Sequence, residues 1–243
     1  MDLIPVLDLL DGRVVHGKKG ERDKYIPVES VLTNTAEPLD VARAFRDSLD
    51  LKKFYIADLD SIQGKGDNTN IIEELSRLDG VELMVDSGWS SGEDLDERVI
   101  EAVDRIILGT ENLDSMDFVR RILENYGEDK VVLSVDMEAG ELLTDISGLE
   151  SPEEAVERFS NMGFRKFILL DLRRVGSEEG VNSDVEKIIR KFPDLDIITG
   201  GGIRDSKDAI KLFEEGFEGL LIATAFHNGN IGYEEVEKIR KKL

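Results

Sequence analysis

The chain repeats itself at long range. Val85-Asp86-Ser87-Gly88-Trp89 is answered by Thr199-Gly200-Gly201-Gly202-Ile203, and Ile107-Leu108-Gly109-Thr110 by Leu221-Ile222-Ala223-Thr224. Gly202 lies 114 residues after Gly88, and Thr224 lies 114 residues after Thr110. Tyr55-Ile56-Ala57-Asp58-Leu59 and Ile168-Leu169-Leu170-Asp171-Leu172 keep almost the same interval, Asp171 following Asp58 by 113 residues. A unit of this length is too long for a solenoid repeat. It suits two fused half-domains, about residues 1–127 and 128–243, each ending apolar runs in loops that can hold an anion.

Short apolar runs bounded by Asp or Gly alternate with longer amphipathic segments, the pattern of βα units around a parallel sheet. The runs predict eight strands: Leu3–Leu7, Lys53–Ala57, Glu82–Val85, Arg105–Leu108, Val131–Val135, Lys166–Leu170, Asp196–Thr199 and Gly219–Ile222. Helices are expected over Pro38–Ser48, Asn70–Arg77, Leu95–Ala102, Met116–Tyr126, Pro152–Met162, Ser183–Lys191, Ser206–Glu215 and Tyr233–Lys242. Ser151 before Pro152, with Glu154 three residues on, and Asp205-Ser206 before Lys207 supply helix starts. Eight units in 243 residues, with an even repeat, favour one α/β domain closed as a (β/α)8 TIM barrel over residues 1–243. An open doubly wound sheet is the alternative, but no G-x-G-x-x-G follows the first strand.

With 40% hydrophobic residues the chain can bury a large core, and its formal charge is −22. That field would repel phosphate polymers, so neither a nucleic acid nor an anionic membrane is expected as partner. An anionic ligand would need local positive potential from loop amides and helix starts. There is no cysteine, and His16 and His227 are the only histidines, which leaves little for a metal site. The first residues carry no basic leader or spanning apolar run, and a cytoplasmic setting is expected.

In a barrel, chemistry gathers where strands end. Asp8 follows the first strand and Asp136 the fifth, so the two carboxylates would face each other across the mouth and could divide acid and base work. Each could instead cap its own loop; the matched turns Asp11-Gly12 and Ala139-Gly140 favour function. Gly200-Gly201-Gly202 after the seventh strand and Ala223-Thr224 after the eighth read as a phosphate loop, because glycine lets backbone N–H groups approach an oxyanion. Gly88, Gly109 and Thr110 are the first-half counterparts, with Asp86 bringing a negative charge beside them. Trp89 is open to two readings, helix packing or ligand stacking. His16 could reach the mouth or sit on a surface hairpin, and nothing marks His227.

On these residues the chain resembles the histidine-biosynthesis barrel family of ribotide isomerases and their cyclase relatives. The matching pieces span the sequence: Ile4 to Arg13, Lys19-Gly20, Asp58-Leu59-Asp60, Ser134-Val135-Asp136, Gly176-Ser177 with Gly180 and Asn182, Gly200 to Arg204, and Ala223-Thr224-Ala225. The resemblance implies half-barrels that bind a phosphate at each end of the ligand, and an Amadori isomerisation using Asp8 and Asp136 without cofactor or metal. Gly176 joins Gly201 and Gly202 among the expected phosphate contacts, and His16, Lys19, Arg173 and Arg174 are possible substrate contacts.

The departures are as informative. Arg173-Arg174-Val175-Gly176-Ser177 stands where the family usually has Asp-Arg-Asp-Gly-Thr, an Arg-Gly-Trp element after the fifth strand is missing, and the first glycine triplet has become Asp86-Ser87-Gly88. Three changes at one mouth point to an altered ligand. The expectation is therefore a phosphosugar isomerase related to the ribotide enzymes. The alternatives are a paralogue acting on another phosphorylated metabolite and a non-catalytic phosphate-ligand binder.

Overall fold

All eight apolar runs form strands, and in the computed structural model, which describes residues 1–17, 21, 24–92 and 94–242, they close on themselves. The barrel strands are β1 (Asp2–Leu10), β3 (Lys53–Asp58), β4 (Glu82–Asp86), β5 (Arg105–Gly109), β6 (Val131–Glu138), β8 (Lys166–Asp171), β9 (Asp196–Gly200) and β10 (Gly219–Ile222). Every neighbouring pair is parallel, and β10 pairs with β1 to complete the ring. This is the expected (β/α)8 TIM barrel.

Two short strands lie off the ring. β2 (Arg13–Val15) and β7 (Glu141–Leu142) fold back antiparallel on β1 and β6. Their turns are alike: Asp11 and Gly12 have φ of 49° and 75°, Ala139 and Gly140 of 56° and 88°. Positive φ at both central residues is the geometry of a two-residue hairpin turn.

Alternation sorts the barrel's side chains. On β1, Leu3, Leu7 and Leu9 join the layer under the helices, whereas Ile4 and Val6 face the barrel interior. The same two-residue period sends Phe54 and Ile56 outward but Tyr55 and Ala57 inward, and Val132 inward between Val131 and Leu133. The strands run one to three residues beyond most of the predicted ends, so Asp8, Asp86 and Asp136 occupy inward positions within their strands and are not loop residues.

The outer helices are α1 (Pro38–Leu49), α3 (Thr69–Ser76), α4 (Glu97–Ala102), α5 (Met116–Tyr126), α6 (Pro152–Met162), α7 (Ser183–Lys191), α8 (Ser206–Glu214) and α10 (Tyr233–Arg240). Ser151 Oγ accepts from Glu154 N, as the sequence suggested, but Glu154 reaches back to Glu150 N instead of Ser151 N. Asp205 caps α8 through the N–H groups of Lys207 and Asp208. Periodicity could not reveal α2 (Leu59–Ile62) and α9 (Thr224–His227), which have only four residues each. Trp89 is 1% exposed in the layer between strands and helices, so it packs and does not stack on a ligand.

Candidate functional site at the barrel mouth

The inward period that fills the barrel with Ile, Val and Leu ends in polar residues at the carboxyl ends of the strands. There a cavity is lined by Asp8, Tyr55, Asp86, Glu111 and Asp136 on one side, and by Gly176, Gly201, Gly202, Ala223 and Thr224 on the other. Register places the carboxylates: Asp8 pairs with Ala57, which pairs with Asp86. Across the ring, Asp136 pairs with Leu170 and Leu170 with Gly200.

Asp136 is held by its neighbours. Its N–H donates to Thr110 Oγ1 (2.9 Å), its Oδ1 is 2.7 Å from Ser134 Oγ, and its Oδ2 accepts from Glu111 N at 3.4 Å. Burial, reinforced by the charges of Glu111 and Asp86, pushes its pKa up to about 8, so the group carries a proton at neutral pH. Tyr55 donates its hydroxyl proton toward Asp86 Oδ2 at 3.5 Å, and burial followed by the charges of Asp86, Asp136, Asp8 and Glu111 drives its pKa well up. The four carboxylates therefore surround one phenol.

The second-half loop brings backbone N–H groups to the cavity. Gly201 and Gly202 have φ of 84° and 83°, a region that L side chains avoid. A Cβ at 202 would come within 2.7 Å of Gly180 O. Among the described residues, no loop, turn or cap hydrogen bond uses the N–H of Gly202, Ile203 or Thr224. All three residues line the cavity.

The first-half counterparts are placed differently. Gly88 donates its N–H to Asp86 Oδ1 (2.9 Å), and a Cβ there would meet Ile62 Cα at 2.7 Å. Thr110 is fully buried, with its N–H on Ser134 O and its hydroxyl accepting from Asp136 N. Gly109 leaves room for carboxylates, because a Cβ at that point would be 2.9 Å from Asp136 Oδ2 and 3.5 Å from Asp86 Oδ2. None of Gly88, Gly109 and Thr110 lines the cavity. Internal hydrogen bonds and steric contact hold the group that the repeat had suggested as a second phosphate site.

Nor do the expected cationic contacts reach the lining. Arg173 is paired with Glu138 at 2.9 Å on the exposed face, and Arg174 with Glu179 at 3.3 Å. Arg173 turns to the acid that ends β6 and Arg174 to an acid five residues on in its own loop, while Val175 and Gly176 supply the wall. His16 sits on the arm after β2 with its N–H on Ile26 O, and its neighbour Gly17 takes the lining position. Lys19 lies outside the described residues. His227 is a core residue, 3.0 Å from Ser30 Oγ and edge-on to Phe45, and burial lowers its pKa to about 4.

Asn68, which the sequence did not mark, completes the frame with residues that it did. Asn68 Nδ2 donates to Asp58 and Asp60, and Asp60 accepts from Asp11 N. In the other half Asn182 Nδ2 donates to Asp171, which accepts from Ala139 N. Each Asp–Asn latch thus ties a hairpin turn to the following strand end, beside Asp8 and beside Asp136. Glu111 also escaped notice, although the 114-residue offset places it opposite Ala225 and could have drawn attention to it.

Residues 2–232 match the family described as Histidine biosynthesis protein. The chain belongs to that family. An uncharacterized protein of Methanocaldococcus jannaschii is 36% identical over 97% of this chain and 97% of its own length. Proteins named 1-(5-phosphoribosyl)-5-((5-phosphoribosylamino)methylideneamino) imidazole-4-carboxamide isomerase are similar as well. That of Cenarchaeum symbiosum is 31% identical over 95% of this chain and 97% of its own, and that of Pyrococcus furiosus 30% over 99% and 95%. Within this histidine-biosynthesis frame, no helix among the described residues is long and apolar enough to cross a membrane. No group of three or more His, Cys, Asp or Glu among them is arranged to hold a metal ion.

Proposed function

We propose that the chain is a cofactor-free isomerase that converts a phosphorylated aminoaldose into the aminoketose, with Asp8 as base and Asp136 as acid. The observation that carries this reading is the sharing of one cavity by both carboxylates and by the Gly202 and Thr224 loops. The isomerase names of the Cenarchaeum and Pyrococcus relatives support it. A phosphate on the amides of Gly202, Ile203 and Thr224 would fix the sugar over the two aspartates, supplying orientation before any bond changes.

The protonation state of Asp136 suits the first step. Its proton passes to the ring oxygen as the C1–O bond breaks and the nitrogen lone pair forms the C1=N bond. Asp8 then takes the proton on C2, and the electron pair left behind forms C1=C2 while the C=N pair returns to nitrogen. The resulting enaminol becomes the ketose when C1 gains a proton and the C2 hydroxyl loses one. All atoms are retained.

Asp8→Asn and Asp136→Asn should each lower turnover by about 10²–10⁴-fold, the usual size of a general acid or base contribution, with circular dichroism unchanged. Full turnover in both variants would refute the assignment. A second reading keeps the same carboxylate chemistry but applies it to another phosphorylated metabolite; Asp86 and Glu111 at the first-half end favour it. Rescue of an isomerase-deficient histidine auxotroph supports the ribotide substrate, and absence of rescue by a folded, phosphate-binding protein supports the second.

A further inference from the structure

The arm after β2 comes down on Asp8. Residue 17 lies two places beyond Val15, whose side chain belongs to the interior layer, so the alternation that fills the barrel brings position 17 over the mouth. The bridge between Val15 and Pro27, and the His16 N–H on Ile26 O at 2.9 Å, fix the arm there. Glycine occupies the position without using its conformational freedom, because the φ of Gly17 is outside the left-handed region. What matters is the missing Cβ. One built on Gly17 would lie 2.6 Å from Asp8 Oδ2, 3.1 Å from Val175 Cγ1 and 3.8 Å from the Tyr25 hydroxyl. All three residues line the cavity. Val175, in the loop after β8, thus meets the arm from the other half of the barrel.

We propose that Gly17 is a positioning residue for Asp8: the missing side chain lets the arm close against the carboxylate and fixes where its Oδ2 stands in the cavity. The inference rests on the reading of Asp8 as base given above and names what sets its position. An ordinary contact begins at 3.4 Å, so a methyl group at 17 displaces the carboxylate or the arm by about 0.8 Å, and a misplacement of about 1 Å costs a positioned group roughly 10²-fold. At Gly88 and Gly202 the atom nearest to an added Cβ belongs to the backbone, whereas at Gly17 the nearest three all belong to side chains. The Asp8 side chain can therefore yield by rotation while the barrel stays intact, and the loss falls on chemistry instead of folding.

The test is Gly17→Ala in the intact chain, alone and together with Asp8→Asn. With the ribotide named for the Cenarchaeum and Pyrococcus relatives, kcat should fall about 10²-fold while KM stays within about threefold of the unmodified protein. In the Asp8→Asn background the same substitution should change turnover by less than about twofold, because a base that is absent cannot be misplaced. Affinity for inorganic phosphate and the denaturant midpoint should both be unchanged. A crystal structure of Gly17→Ala should show the Asp8 carboxylate displaced and the backbone of β1 in place. An unmoved Asp8 overturns the proposal whether or not the ribotide is turned over, and so does an undiminished kcat or an equal further loss in the Asp8→Asn protein. Full turnover in Asp8→Asn is a separate failure, that of the base assignment, and is read without any change at Gly17.

Discussion

At Gly202 the chain leaves a backbone N–H facing the cavity, whereas at Gly88, its counterpart 114 residues earlier, the same N–H is taken by Asp86. Both glycines have positive φ and both would clash at 2.7 Å if given a Cβ, so the backbone plan is shared. What differs is the residue two positions earlier, glycine in the second half and aspartate in the first. The Asp86 side chain engages the N–H that the second-half counterpart leaves without a loop hydrogen bond. The Asp–Asn latches teach the converse: Asp58 with Asn68 and Asp171 with Asn182 do the same positioning in each half, so symmetry persists where the task is structural.

The comparison can be broken most severely through Asp136. The folded chain keeps its proton to pH about 8, while the unfolded carboxyl releases it near pH 4. Turnover that needs this acid should hold below the upper value and fall about tenfold for each further pH unit. The sign for stability is the same: across that window the unfolded chain has already ionised, so this group makes stability decline as pH rises, and Asp136→Asn removes that share of the slope. A pH–rate profile flat through pH 8 to 10 would show that the second-half aspartate is not the acid.

Gly202→Ala and Gly88→Ala separate shape from binding. Each should lower stability by roughly 2–4 kcal/mol, through strain at positive φ and a forced backbone shift. Phosphate affinity should fall about tenfold or more in Gly202→Ala only, measured by calorimetry at a temperature where both variants are folded. Equal losses of affinity would restore the second anion site. The smallest effects belong to the latches. Asn68→Ala and Asn182→Ala should each cost about 1–3 kcal/mol by leaving buried acceptors without their donor, and a large inequality in denaturant midpoints would show that the frame is as asymmetric as the ends.

Much of this architecture is legible in the sequence, for a physical reason. The barrel is a sum of local periods, so Lys166-Phe167-Ile168-Leu169-Leu170 reads as a strand and Pro152 to Met162 as a helix from alternation and caps alone. The aspartates at positions 8 and 136 could be picked out because parity and a strand end specify where a side chain points. What could not be read is where hydrogen bonds go across the mouth. Gly88, Gly109 and Thr110 look like Gly202, Ala223 and Thr224 in one dimension, but the N–H of Gly88 goes to the Asp86 side chain, and Thr110 donates its N–H to Ser134 O and accepts from Asp136 N once β5 and β6 lie side by side. Arg173 and Arg174 suggested positive charge at the mouth, but they pair with Glu138 and Glu179 and neither lines the cavity.

The asymmetry is tested most directly by a crystal structure of the protein soaked in inorganic phosphate. The account predicts one ordered phosphate, bound by the N–H groups of Gly202, Ile203 and Thr224, and none at Gly88 and Thr110. A second phosphate of equal occupancy on the first-half loops, with Asp86 displaced from Gly88, would contradict it.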